Sequence, residues 1–155
     1  MLICDTMKYY WLVLLFIIGA ALTVPAVSAK IIEEKDGYIV TSVDNAFNLP
    51  DIFRSGSSSV SQGQTKWYST SVPAGKTAFY ADLNWGDSSD SLALTVVAPD
   101  RTFGPYYDSA DGRTDGRINI KISKSGNIAS GTWRSKVYGY SVNGGQSYTY
   151  SASAS

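Results

Sequence analysis

The sequence predicts an all-β fold: a single small β-sandwich, jelly-roll-like, of about seven or eight antiparallel strands after a cleaved signal peptide. From Thr65 onward, short runs rich in Val, Ile, Thr, Tyr and Trp alternate with clusters of Gly, Asp, Asn, Ser and Pro. That region contains no amphipathic run long enough for a major helix. We predict strands at residues 38–43, 66–72, 77–85, 91–98, 117–123, 131–141 and 146–153, with an eighth candidate at 102–107.

The first element, residues 1–29, has the pattern of an export signal. Lys8 leads into an apolar run at residues 11–24, and Val27 and Ala29 suit the −3 and −1 positions of a cleavage site. This pattern places the rest of the chain outside the cytoplasm, either secreted or at the cell surface.

Two alternatives stay open for this signal. Translation could start at Met1 or at Met7, and the Met7 start places the positive residue directly beside the apolar run. The segment could also be an uncleaved anchor, because residues 9–27 approach the roughly 20 residues of a spanning helix. After cleavage we expect no segment to insert into a membrane.

Residues 30–63 are predicted to precede the main domain, which covers residues 64–155. They contain the strand at 38–43 and a Ser-rich tract at 55–59 that is typical of a flexible linker. Residues 45–53 favour a short helical turn interrupted by a proline.

Alternating apolar residues assign the faces of two central strands, because successive side chains of a strand point to opposite sides. The predicted core positions are Phe79, Ala81, Leu83, Trp85, Leu92, Leu94 and Val96. Residues 131–141 do not alternate as cleanly, which predicts a bulge or a position at the rim of the sheet.

Two residue types that carry much of enzyme chemistry are scarce. Cys4 is the only cysteine and lies in the predicted signal, so the exported chain has no thiol for a disulfide, a metal or a nucleophile. Histidine is absent, which removes the commonest general base and the usual zinc ligand. The formal net charge of +0 does not favour nucleic acid or an anionic membrane. We therefore expect no enzymatic activity and no nucleic-acid partner.

Three stretches carry a resemblance to a known family. They are "GQTKWYSTSVPAGKTAFYADLNW", "SLALTVVAPD" and "SGNIASGTWRSKVYGYSVNGGQSYTYSAS". The third stretch is similar to the closing hairpin of that family. In their order and spacing, residues 64–153 resemble the bacterial and archaeal pre-peptidase C-terminal domain, a secreted β-sandwich appended to exported proteases and surface proteins. The resemblance implies an accessory role. It does not cover residues 30–63, and Ser91-Leu92-Ala93-Leu94 departs from the aspartate-containing strand of that family.

The acidic residues of two loops are candidate calcium ligands, because carboxylates in an extracellular loop suit Ca²⁺. One loop carries Asp87 and Asp90, and the other carries Asp108, Asp111 and Asp115. The second loop lacks the EF-hand spacing. Both loops contain the Gly, Ser and Asp residues of ordinary turns, and this explanation stays open beside calcium. Catalysis by Asp87 and Asp90 is disfavoured, because exposed carboxylates are poor general acids at neutral pH.

Aromatic and basic residues near the C-terminus are the candidate ligand-binding set. It comprises Trp133, Arg134, Lys136, Tyr138 and Tyr140. Together with Tyr148 and Tyr150, these tyrosines could form an aromatic strip across one hairpin, suited to sugars or to a protein surface. The alternative is that the aromatics fill the core and pair across strands.

These features predict a secreted, non-catalytic accessory domain that binds an extracellular polymer or protein at the cell envelope. The alternative is a self-associating surface component or a partner subunit of a separate exported protease, which would use an exposed edge strand or residues 30–63. An enzyme is the third option, and it would need a carboxylate pair within a concave pocket.

Overall fold

Ten strands and one short 3₁₀ helix make up the described part of the protein. The computed structural model describes residues 29–43 and 57–155, so the predicted signal and the predicted turn at 45–53 lie outside the described residues. The strands are β1 (Ile31–Lys35), β2 (Tyr38–Ser42), β3 (Ser58–Ser61), β4 (Thr65–Val72), β5 (Ala78–Asn84), β6 (Ser91–Val97), β7 (Thr102–Tyr106), β8 (Arg117–Lys124), β9 (Gly131–Ser141) and β10 (Gly145–Ala154), and the 3₁₀ helix is Asp108–Asp111.

Two antiparallel sheets pack face to face as a β-sandwich, which confirms the predicted all-β class. One sheet has six strands in the order β1-β2-β8-β5-β10-β3, and the other has four in the order β4-β9-β6-β7. A single hydrophobic cluster with side chains from both sheets fills the space between them. Among the described residues, no helix is long and apolar enough to cross a membrane.

All eight predicted strands are present, with ends that differ by at most one residue. The strands β1 and β3 were missed because their sequences, IIEEK and SSVS, do not show a clear apolar alternation. Ser58 and Ser59, predicted to belong to a flexible tract, lie in β3 and pair with β10. Residues 30–63 thus contribute three strands to the six-stranded sheet instead of preceding the sandwich.

The predicted core positions of β5 and β6 are buried, as the alternation indicated. Trp133 joins them, with a fully buried ring that stacks on Phe79 at 4.6 Å and on Phe103 at 6.1 Å between ring centroids. Its indole Nε1 donates a 2.8 Å hydrogen bond to the carbonyl oxygen of Ala129. The Trp133 indole is therefore packed against aromatic rings and also has a hydrogen-bond acceptor for its N–H group.

Strand β9 alternates more regularly than the sequence indicated. From Trp133 to Gly139 its inward positions are buried, and from Thr132 to Tyr140 its outward positions are wholly or partly exposed. The expected irregularity is confined to Tyr140, which the pairing skips because Ser91 pairs with Ser141 and Leu92 pairs with Gly139.

The predicted closing hairpin is wrong. Strand β9 pairs with β4 and β6, whereas β10 pairs with β5 and β3 in the other sheet. Residues 142–144 therefore cross between the sheets. Tyr148 and Tyr150 are each only 2% exposed, so they do not extend an aromatic strip from Tyr138 and Tyr140.

Candidate binding face

The outer surface of the four-stranded sheet gathers six aromatic and basic side chains. Four of them occupy outward positions of β9: Arg134, Lys136, Tyr138 and Tyr140. The other two are Trp67 on β4 and Tyr107, which directly follows β7. We call these six residues the aromatic face. The alternation of β9 explains the grouping, because residues two apart along a strand point to the same side of the sheet.

Trp67 and Arg134 form one end of the aromatic face. Trp67 lies on the edge strand β4 and is 52% exposed. The guanidinium carbon of Arg134 lies 5.1 Å from the centroid of the Trp67 ring, within the range of a cation–π contact. The pairing of β4 with β9 places Trp67 opposite Lys136 and Ser69 opposite Arg134, so Arg134 reaches Trp67 along the diagonal.

Tyr107 and Tyr140 form the other end. Their ring centroids are 4.7 Å apart with an interplanar angle of 60°, and the two residues are 37% and 51% exposed. Tyr140 lies four residues beyond Lys136, which faces Trp67, so the two ends are separated by about 14 Å at roughly 3.4 Å per residue. The face is therefore long enough for an extended ligand.

The middle of the aromatic face is formed by Lys136 and Tyr138. Their neighbours on β6 are Thr95 and Ala93, which are small and only 8% and 3% exposed. Because the short side chains of Thr95 and Ala93 do not extend far from the sheet, the larger Lys136 and Tyr138 side chains form the accessible surface between the two aromatic ends.

The four-stranded sheet has an uneven charge. Strands β4, β6, β7 and β9 contain Lys66, Arg134 and Lys136 but no Asp or Glu. The nearest carboxylates along the chain are in loops at the strand ends, such as Asp90, whose Oδ1 accepts a hydrogen bond from the Asn143 backbone N–H. The aromatic face is therefore locally cationic although the whole chain is formally neutral.

Four of the five predicted ligand-binding residues come together on this face, namely Arg134, Lys136, Tyr138 and Tyr140. Trp133 does not, because it points inward and is fully buried in the core. The face also includes Trp67 and Tyr107, which the sequence reasoning missed. The alternation of Trp67 with Tyr68 along β4 was a signal, but only strand pairing places Trp67 beside β9.

Asp87 and Asp90 form a turn. Asp87 Oδ1 accepts hydrogen bonds from the Ser89 hydroxyl at 2.6 Å and the Ser89 backbone N–H at 2.8 Å. These two bonds lower the pKa of Asp87 and keep it ionised. The Trp85 indole Nε1 donates to the backbone carbonyls of Asp87 and Asp90 and holds the loop against the sandwich. Asp87 is thus explained by turn chemistry, whereas the Asp90 carboxylate accepts the Asn143 backbone N–H of the segment that follows β9.

The second acidic loop is organised by Asp108, which is only 5% exposed. Its Oδ1 accepts backbone N–H hydrogen bonds from Asp115, Gly116 and Arg117, while its buried Oδ2 has no partner among the described residues. Burial raises the pKa of Asp108, although the three N–H donors act in the opposite direction.

The candidate calcium ligands do not converge. Asp111 Oδ1 instead accepts the Arg113 backbone N–H at 2.9 Å, as in a turn. Across residues 29–43 and 57–155, no three His, Cys, Asp or Glu side chains form a group that could hold a metal ion. The arrangement of Asp87, Asp90, Asp108, Asp111 and Asp115 therefore does not support the predicted Ca²⁺ site.

An open cleft of about 390 Å³ lies where β1 meets β7, at adjoining edges of the two sheets. Its lining includes the carboxylate Glu33, whose Oε2 accepts hydrogen bonds from the Tyr106 hydroxyl at 2.5 Å and, more weakly, from the Gly104 N–H at 3.4 Å. Burial and the bond to Glu33 raise the pKa of Tyr106. Among the described residues that line this cleft, Glu33 is the one carboxylate, so they do not provide the pair that acid–base catalysis by two carboxyl groups requires.

Fold and site together define a two-sheet β-sandwich with an exposed, cationic aromatic face. A scan against models of known protein families finds no match for the chain, and a search of curated proteins finds no relative. The resemblance of residues 64–153 to the pre-peptidase C-terminal domain accordingly stays a prediction.

Proposed function

We propose that this protein is an exported, non-catalytic binding domain with a jelly-roll-like sandwich that acts at the cell envelope on an extracellular polymer or protein. The aromatic face is its binding surface. The predicted export signal supports the location, and the resemblance to an accessory domain of exported proteins is consistent with the role.

The observation that carries this proposal is the exposure of three large aromatic side chains on one surface. Trp67, Tyr107 and Tyr140 are between 37% and 52% exposed, while most other large aromatics of the described residues are buried in the core. Exposure of these rings to water does not stabilise the fold. Rigid rings with few rotatable bonds bind partners at a low cost in conformational entropy, which favours a recognition role.

A non-catalytic role is supported by the chemistry of the polar groups. Glu33 accepts a hydrogen bond from the Tyr106 hydroxyl, and no other described residue that lines this cleft has a carboxylate. Asp87 is exposed and has a lowered pKa, so it is a poor proton donor at neutral pH. The chain has no histidine to act as a general base.

The alternative function, a self-associating component or a partner subunit, is favoured by a second patch. Ile31 and Ile39 are 55% and 40% exposed on β1 and β2, at one edge of the six-stranded sheet. An exposed apolar edge is suited to pairing with another chain. This alternative predicts concentration-dependent association in sedimentation that Ile31→Glu and Ile39→Glu abolish, without any effect of changes at Trp67.

The test of the proposed function is co-sedimentation of the purified protein with insoluble envelope material. Trp67→Ala and Tyr140→Ala are expected to weaken binding roughly 30-fold each, as for a contact aromatic worth about 2 kcal/mol. Tyr80→Ala is the matched control, because Tyr80 lies on the six-stranded sheet, away from the aromatic face. Thermal unfolding should change little in the Trp67 and Tyr140 variants, since both residues are half exposed. Wild-type binding by both variants would refute the assignment of the surface.

A further inference from the structure

The two cations of the aromatic face have no anionic partner within residues 29–43 and 57–155. Two other arginines of the sandwich form ion pairs: Arg101 contacts Asp36 at 2.6 Å, and Arg117 contacts Asp82 at 2.8 Å. Within the described residues, Arg134 contacts the Trp67 ring and forms no ion pair, and Lys136 forms no ion pair either. Two charges that the fold leaves uncompensated beside exposed aromatics are available to a ligand.

Arg134 contacts the Trp67 ring, and its guanidinium N–H groups have no hydrogen-bond acceptor among the described residues. A guanidinium carries five N–H donors along the edge of a planar group. That edge matches a carboxylate, which accepts two parallel N–H bonds. The contact with Trp67 restricts the Arg134 side chain, which lowers the entropy that this side chain loses when it binds an anion.

The rest of the surface is suited to hydroxyl groups and flat rings. Outward residues beside Trp67 on β4 and β9 are Thr65, Ser69, Ser71 and Thr132, all exposed. Hydroxyl side chains both donate and accept hydrogen bonds, as sugar hydroxyls require. The aromatic rings at both ends, about 14 Å apart at roughly 3.4 Å per residue, offer stacking surfaces to separate units of a polymer.

We propose that the ligand is an acidic polysaccharide, with sugar rings on Trp67 and on the Tyr107–Tyr140 pair and with uronate carboxylates on Arg134 and Lys136. This inference rests on the proposed function and specifies its ligand. A single-stranded nucleic acid is disfavoured, because such ligands require a continuous positive groove along the phosphate backbone. Here the outer face carries two cations on a formally neutral chain.

The test compares the acid and methyl-ester forms of the same polysaccharides, which differ only in charge. Binding of the purified protein is measured by calorimetry with a panel of polyuronates of different linkage, each with its methyl ester, at low and high NaCl. We expect esterification or high salt to weaken binding at least tenfold. The double variant Arg134→Gln with Lys136→Gln should bind both forms equally weakly, whereas Trp67→Ala should weaken binding to both.

A charge-matched control separates a local effect from net charge. The double variant Lys76→Gln with Lys121→Gln removes the same two charges away from the aromatic face and should keep the wild-type preference. Equal affinity for acid and ester, unchanged binding by the Arg134 and Lys136 variant, or binding to single-stranded nucleic acid in place of every polyuronate would overturn the inference. If none of the panel binds while envelope binding still depends on Trp67, the acidic-polysaccharide inference fails and the proposed function survives.

Discussion

At the scale of single residues, neighbours in the chain have opposite roles. Trp133 fills the core beneath Phe79 and Phe103, while Arg134, the next residue, lies on the solvent side against Trp67. A strand rotates successive side chains to opposite faces, so one backbone segment supplies both the core and the surface. A one-residue shift of β9 would bury two cations and expose an indole, which is why the pairing register is strongly specified.

Asp108 provides a residue-scale prediction about stability. Asp108→Ala removes the acceptor of three backbone N–H groups and is expected to lower the free energy of unfolding by about 1–3 kcal/mol. Asp111→Ala is the matched control from the same loop and should cost less than about 1 kcal/mol, because it removes one acceptor. Urea denaturation measures both. Equal losses would show that Asp108 does not organise the loop.

At the scale of elements, β9 is an inner strand of the four-stranded sheet and also contacts the corner that leads into this sheet. It pairs with β4 and β6, and the corner between β3 and β4 contacts it at Gly139. The Gly63 N–H donates to the Gly139 carbonyl, and the Gly139 N–H donates to the Gln64 carbonyl. The corner thus approaches β9 closely enough that a side chain at position 139 has no space.

The close contact between the β3–β4 corner and Gly139 predicts the effect of a larger side chain at this position. A Cβ at position 139 would overlap the carbonyl oxygen of Ser61, so Gly139→Ala should destabilise the protein by at least about 1–3 kcal/mol. Gly145→Ala is the control, because the nearest atom to its Cβ would be the Ser61 hydroxyl at 4.0 Å. Thermal unfolding of both variants distinguishes them. A Gly139→Ala protein as stable as Gly145→Ala would mean that the corner moves freely.

At the scale of the whole molecule, the two sheets differ in chemistry. The strands of the four-stranded sheet carry basic residues and no Asp or Glu, whereas those of the six-stranded sheet carry both signs of charge: Glu33, Glu34 and Asp82 beside Lys35, Arg117, Lys121 and Lys124. Between them, buried tyrosines contribute hydroxyls that are satisfied inside: the Tyr150 hydroxyl donates to Ser135 Oγ at 2.5 Å, and the Tyr68 and Tyr148 hydroxyls are 2.8 Å apart.

Because these tyrosines are buried, we expect the free energy of unfolding to fall at alkaline pH. Burial is the first cause that raises the pKa of Tyr106, Tyr148 and Tyr150. Above pH 10 the unfolded chain releases these protons while the folded chain retains them, so the free energy of unfolding falls as the pH rises. The slope is up to about 1.4 kcal/mol per pH unit for each tyrosine.

Urea denaturation between pH 8 and pH 11.5 measures this slope. Tyr150→Phe removes one titrating group and should make the decline shallower by the contribution of one tyrosine, whatever it does to the stability at pH 8. A stability that is constant up to pH 11.5 would contradict the assignment of buried, protonated tyrosines.

The sequence alone predicts the all-β class, all strands except β1 and β3, and the buried positions of β5 and β6. These features depend on local composition and on the alternation of side chains within one strand. It also predicts the four members of the aromatic face that lie on β9. It misses β1 and β3, whose short polar sequences become strands only when they pair with β2 and β10.

The tertiary structure decided the remaining features. It separated β9 from β10 into different sheets, placed Trp133 inside, and brought Trp67 and Tyr107 beside β9. It also kept the five loop aspartates from converging on a metal. The physical reason is the range of the interactions: alternation is local and appears in the sequence, whereas register, sheet membership and side-chain neighbours depend on strands that are distant in the chain.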